Sequence, residues 1–228
     1  MEGRRLARED RHGDTTGSPQ REGVTMKLYY IPGASSLFPH ITLREAGLAF
    51  ELIKVDEHTK LTQVGGDYRK VNPLGFVPAL ELSDGTTLTE GVAIAQYIAD
   101  QVPAKQLAPA NGTLARTTLQ SWLNFIATEV QMGCFCQLFH PGATENMKTM
   151  HRGRLGTRLG HIEQHLAYRE YILGEHFSLA DMYVYVVLNW SRAAAFDLSP
   201  FPHVLALRKR VRARPTVQEA LKAEGLAS

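Results

Sequence analysis

The feature that most constrains this chain is a change of hydrophobic period partway along it. Between residues 26 and 100, short alternating runs are separated by turn residues; from Thr113 onward every apolar run is spaced for a helix. Residues 103–112 (PAKQLAPANG), lying between, have the composition of a linker. Neither a uniform bundle nor a sandwich accommodates such a pattern. It implies a sheet-containing domain over 26–102, a linker over 103–112 and an all-helical domain over 113–228.

Within the first domain, residues 27–31 (KLYYI) are a β-rich run that stops at Pro32-Gly33. Ser35-Ser36 precede an apolar-periodic stretch with Leu37, Ile41 and Leu43, closed by Gly47. This reads as an N-capped helix with Pro39 in its first turn. Residues 50–56 (FELIKVD) alternate as a strand. Strand, helix and strand in about thirty residues make a βαβ unit with parallel strands. A helical turn at 66–71 leads into Asn72-Pro73-Leu74-Gly75-Phe76-Val77-Pro78. A hairpin over 79–82 and 86–89 turns at Ser83-Asp84-Gly85, and 90–100 (EGVAIAQYIAD) has helical spacing. The domain is therefore α+β, in the order β-α-β-α-β-β-α.

In the second domain the periodic segments are 114–136, 144–166, 178–190 and 204–213, with a short helix after Pro215. Ser178-Leu179-Ala180-Asp181 resembles a capping box onto which Phe177 can staple.

Composition narrows the function. A net charge of +2 gives no field for nucleic acid. The run Arg208, Lys209, Arg210, Arg212, Arg214 reads as the wet face of a helix. No apolar run reaches membrane-spanning length, so a soluble protein is expected. Cys134 and Cys136 read as two small hydrophobes in a reduced compartment, with no metal site implied. Residues 1–25 are polar, lack an apolar core segment and balance five Arg against five acids. Neither a secretory signal nor a transit peptide fits, and a disordered extension ahead of Met26 is expected.

Three places carry chemistry. The first strand turns into a helix N-terminus at Ser35-Ser36, where free N–H groups and the helix dipole favour an anion. One hydroxyl is expected to cap the helix, leaving the other for a ligand; His40 lies a turn further on. No GxSxG elbow or base accompanies the serines, which argues against a hydrolase. The second place is Val77-Pro78, where a cis bond would turn the Val77 backbone outward to pair with an extended peptide. The third is Glu90-Gly91 at another helix start, where a carboxylate beside free N–H groups can receive an α-amino-acid head: Glu90 takes the ammonium and the helix end the carboxylate.

In this order the residues resemble the glutathione transferases, and among them the bacterial beta class. The resemblance runs from Met26 to about Leu226 and rests on MKLYYIPGASSLFPHITLREAGL (26–48), VNPLGFVPAL (71–80), LTEGVAIAQYIAD (88–100), WLNFIATEV (122–130), GEHFSLADMYVY (174–185) and RPTVQEALKAEGL (214–226). It implies a thioredoxin-like first domain, a cis proline at Pro78, and glutathione as co-substrate without a metal. It assigns Val77 to the cysteinyl part of the tripeptide, Glu90 and Gly91 to the γ-glutamyl group, and Lys60 to the glycyl end. Asn124 and Glu129 match helical-domain positions that reach the tripeptide, some across a homodimer interface, and Asp181 matches a folding residue. A cytoplasmic location follows from the same likeness.

Two positions depart from the beta pattern. Ser35 stands where that class usually has Cys, and Gln131 where it usually has His. A serine cannot form a mixed disulfide, so the expected chemistry is thiolate stabilisation by Ser35 or Ser36 followed by attack on a small hydrophobic electrophile. Tyr30 is a second possible hydroxyl donor. Phe38, Trp122 and the 132–139 segment are candidates to line the electrophile pocket. The alternative is a glutathione- or hydrophobic-ligand-binding protein with little turnover. Detoxification, a catabolic step and peroxide reduction all remain open.

Overall fold

A computed structural model describes residues 25–227; the expected extension over 1–25 lies, but for Thr25, outside the described residues. Strand β1 (Met26–Tyr30) pairs in parallel with β2 (Phe50–Lys54), and helix α1 (Leu37–Ala46) connects them. Strand β3 (Ala79–Glu81) runs antiparallel to β1, and β4 (Thr87–Thr89) antiparallel to β3, giving the order β2-β1-β3-β4. Helix α2 (Gly91–Gln101) completes the thioredoxin-like domain.

Period-two alternation decides the two faces of this sheet. Leu28 and Leu80, which face each other in register, are buried against α1 and α2. Tyr29, Ile53 and Ala79 point the other way and pack on Tyr68 from the connection before β3. Gly47 ends α1 with φ of 71°, a left-handed position where glycine carries no Cβ penalty.

The second domain is helical. Helix α3 (Leu114–Phe125) passes into a π-helical stretch, Ile126–Phe135, and a last turn, α4 (Cys136–Leu138). The sequence predicts one regular helix here. Gly133 accompanies the difference: a Cβ on it would lie 2.8 Å from the Thr128 carbonyl. Helices α5 (Glu145–Leu166), α6 (Leu179–Leu188), α7 (Pro202–Arg212) and α8 (Pro215–Ala223) follow. Every residue of α6 is buried, as a helix apolar on all sides requires. Its N-terminus carries the expected capping box, with Asp181 Oδ2 accepting from Ser178 N at 2.8 Å and from Ser178 Oγ at 2.9 Å. One core runs through both domains, and α1 packs against α6 and α8.

The C-terminal arginines differ from the expected wet face. Arg208 donates to Asn189, Arg210 lies over the Tyr171 ring at 5.2 Å, and Arg214 pairs with Glu45 at 2.6 Å. Their long apolar stems explain this, since such stems cover nonpolar surface while the head finds a partner.

Candidate functional site

The turn after β1 sets the site. Ser36 occupies the N-cap of α1, yet its hydroxyl caps nothing, contrary to the expectation that one of the two serines caps the helix. It is fully buried, donates to the Ile31 carbonyl and accepts from the Ile31 N–H, both at 3.2 Å. The N–H and carbonyl of a residue only five positions back use both halves of that hydroxyl. Ser35 is half-buried, and its Oγ donates to the Val77 carbonyl at 3.1 Å. The N–H groups of Ser35 and Ser36 have no acceptor among the described residues.

The Val77–Pro78 bond is cis. The carbonyl just before it is held twice: Phe76 O accepts from Tyr68 Oη and from Asn72 Nδ2, each at 2.7 Å. Sequence reasoning missed both holders, although the Asn-Pro dipeptide marked a turn there. Gly91 closes the same corner, for a Cβ on it would lie 3.5 Å from Pro78 Cγ and 3.8 Å from Phe38 Cδ1. Glu90, exposed, stands at the N-cap of α2 with φ of 68°. A non-glycine residue there costs of order 1–3 kcal/mol, and such outliers gather at ligand clamps. Lys60 also has positive φ, 61°, and its stem lies along Gly75 in the loop that leads to Val77.

Ser35 and Val77 are thus in direct contact, and Gly91 meets Pro78. The helical-domain candidates sit otherwise. Asn124 is exposed and donates to its own helix at Gln120 O, 2.9 Å. Glu129 is engaged by Arg154 at 3.0 Å and Arg158 at 2.7 Å, all through Oε2, and these arginines hold its carboxyl below the ordinary value. Gln131 accepts from Tyr183 Oη at 2.7 Å, and burial pushes that phenol well up.

Several suspects belong to the core. Tyr30 is buried, and burial followed by the Glu224 charge raises it. His40 is fully buried beside Glu224. Phe38 stacks on Tyr183 at 4.6 Å with rings 2° apart. Trp122 packs on His161 and His165, and lines a cleft of about 840 Å³ with the linker that does not include Ser35, Val77 or Gly91. Sequence reasoning passed over Trp190, whose Nε1 donates to Gly33 O at 2.7 Å and whose ring meets Phe135 and Phe139.

Fold and site together define a two-domain protein whose thioredoxin-like half presents a hydroxyl at a helix N-terminus beside a cis-proline corner. The profile "Glutathione S-transferase, N-terminal domain" matches residues 36–101, and "Glutathione S-transferase, C-terminal domain" matches 125–215. The chain belongs to the glutathione S-transferase family. It is 47% identical over 201 residues to glutathione S-transferase GstA of Escherichia coli O157:H7, covering 88% of this chain and 100% of that one. The solved ternary complex of BphK, a bacterial transferase, superposes with a TM-score of 0.86 at 55% identity, covering 88% and 100% of the two chains. A sphingomonad glutathione S-transferase complexed with glutathione gives 0.85 at 45% identity with the same coverage. Among the described residues no His, Cys, Asp and Glu group could hold a metal, and no helix is long and apolar enough to cross a membrane.

Proposed function

We propose that this chain binds glutathione along the Val77, Pro78, Glu90 and Gly91 corner and transfers its thiolate to small hydrophobic electrophiles, with Ser35 as the thiolate-stabilising hydroxyl. The carrying observation is the Ser35 Oγ contact with the Val77 carbonyl, which puts the hydroxyl beside the backbone assigned to the cysteinyl residue. At 3.1 Å that bond is longer than the ~2.7–2.8 Å usual between oxygens, so exchanging it for a thiolate acceptor loses little. Ser36, spent on Ile31, is the weaker candidate.

The energetics suffice without a cysteine. A thiol with pKa of ~8.5 needs roughly 2.7 kcal/mol of preference for its anion to titrate two units lower. A hydrogen bond to a charged group supplies about 1.5–3 kcal/mol, and a helix N-terminus about 0.3–1 kcal/mol. The unoccupied N–H groups of Ser35 and Ser36 serve the same anion. Glu90 receives the γ-glutamyl ammonium and Lys60 the glycyl carboxylate. Asn124 and Glu129, whose Oε1 has no partner among the described residues, are assigned to the tripeptide from the helical side. Trp190 and half-exposed Phe139 are the apolar wall for the electrophile.

A homodimer is part of the proposal. Leu74 and Phe76, 74% and 70% exposed on the loop before Pro78, are apolar groups that a second copy would cover. Sedimentation should give twice the chain mass; a monomeric mass contradicts it. Free Cys134 and Cys136 accord with a reducing, cytoplasmic setting and with the detoxification role common to such chemistry. The test of function is retention on immobilised glutathione together with turnover of chlorodinitrobenzene. Retention without turnover would leave the alternative, a binding protein, in its place.

A further inference from the structure

The turn that carries Ser35 is fastened from the helical domain at its midpoint, Gly33. This glycine has φ of 73°, and both of its polar backbone atoms are taken by distant residues. Its N–H donates to Glu224 Oε2 at 2.9 Å, and its carbonyl accepts from Trp190 Nε1 at 2.7 Å. Leu226 covers it, for a Cβ on Gly33 would lie 3.7 Å from the leucine methyls.

Glu224, the C-cap of α8, has a fully buried side chain, and among the described residues no Lys or Arg pairs with it directly. Its other oxygen faces His40 Nδ1 at 2.8 Å. Arg44 Nε donates to His40 Nε2 at 2.9 Å. A guanidinium has no acceptor, so Nε2 accepts and the ring proton sits on Nδ1, pointing at Glu224. Hydrogen bonds therefore run in one direction, from Arg44 to His40 to Glu224, where they meet the Gly33 N–H.

We propose that Glu224 is a positioning residue for the transferase reaction: its carboxylate, oriented by His40 and Arg44, fixes the Gly33 turn and through it the Ser35 hydroxyl. This rests on the reading of Ser35 given above. The chain of donors demands a group that accepts on both oxygens. An amide at 224 offers one acceptor and one donor, so Glu224→Gln sets a donor against a donor at Gly33, at His40 or, after a tautomer change, at Arg44. Shape is almost unchanged while polarity is broken. The double variant Arg44→Gln/Glu224→Gln repairs it: the His40 proton moves to Nε2 and donates to the new amide at 44, His40 Nδ1 accepts from the amide at 224, and the carbonyl oxygen there accepts from Gly33.

The experiment measures conjugation kinetics with chlorodinitrobenzene and the ultraviolet titration of bound glutathione for the wild type, both variants and Ser35→Ala. For Glu224→Gln, kcat is expected to fall roughly tenfold, equivalent to ~1.4 kcal/mol, with KM for glutathione little changed. The bound thiol should titrate higher, and the double variant should recover both. A merely structural role would lower the melting temperature and leave the titration and kcat of the folded enzyme untouched, which would overturn the inference. If Ser35→Ala shifts the titration and Glu224→Gln does not, only the positioning role fails; if Ser35→Ala does nothing, the serine reading itself fails. Should Glu224→Gln not fold, Trp190→Phe removes the other anchor of Gly33 and is expected to raise the titration likewise, an unchanged value again counting against the proposal.

Discussion

Two adjacent serines of the same chemistry have different partners because of where the turn points each hydroxyl. Ser36 bridges both polar atoms of Ile31 inside the protein, while Ser35 meets one carbonyl across the site. Ser36→Ala should cost about 1–2 kcal/mol, since it strands the part-buried Ile31 N–H, while the Ile31 carbonyl keeps the Ala34 N–H at 3.1 Å. Its conjugation rate per folded molecule should hold. Ser35→Ala should leave stability within ~0.5 kcal/mol and lower kcat/KM at least roughly tenfold, the scale of a lost bond to a charged group. Urea unfolding beside steady-state kinetics checks both, and a swap of the two effects would reverse the assignment. The pair was legible in the sequence as a helix start with a spare hydroxyl. Which one was spare was not, because that depends on how the turn folds back on Ile31. Glu90 was legible by position, but its positive φ is a backbone fact with no sequence signature.

Among elements, the strands, the hairpin and the capping box on α6 were readable, because each is written in local period and turn chemistry. The π-helical stretch was not. Its apolar residues fit an α-helical spacing nearly as well, and the sole mark, Gly133, also suits a close approach between helices. Here a Cβ would meet the Thr128 carbonyl at 2.8 Å, a backbone atom that cannot swing aside. Gly133→Ala should therefore destabilise by about 1–3 kcal/mol, the usual cost of forcing extra volume into packed structure. A urea midpoint equal to that of the wild type would show that the wide turns relax to α-helix without penalty.

At the scale of the molecule, ties between sequence-distant elements hold the two domains as one. Arg214, ahead of α8, donates to both oxygens of Glu45 on α1 at 2.6 and 2.9 Å, and its guanidinium lies 3.9 Å from the Phe177 ring centre. Thr216 donates to the same carboxylate. Burial alone would raise Glu45, but these bonds outweigh it and hold it below its ordinary value of 4.5. A carboxyl depressed in the folded state adds stability above its unfolded value, and that stability is lost as pH falls through the folded one. Arg214→Met should cost about 2 kcal/mol at neutral pH, less than the ~3–5 kcal/mol of a fully buried broken pair because the arginine is partly wet. The gap to wild type should narrow below about pH 4.5; a gap constant with pH would contradict the pairing as its source. Such ties, like those of Glu224 and Trp190 to Gly33, were invisible to periodicity, which reads neighbours and not partners many residues away. The central claim is that the turn, the helix end and Ser35 lower the pKa of bound glutathione. Ultraviolet titration of its thiolate on the protein tests this most directly. The account predicts a midpoint about two units below that of the free thiol, moving back toward the free value in Ser35→Ala; bound glutathione titrating at its free value in the wild-type protein would contradict it.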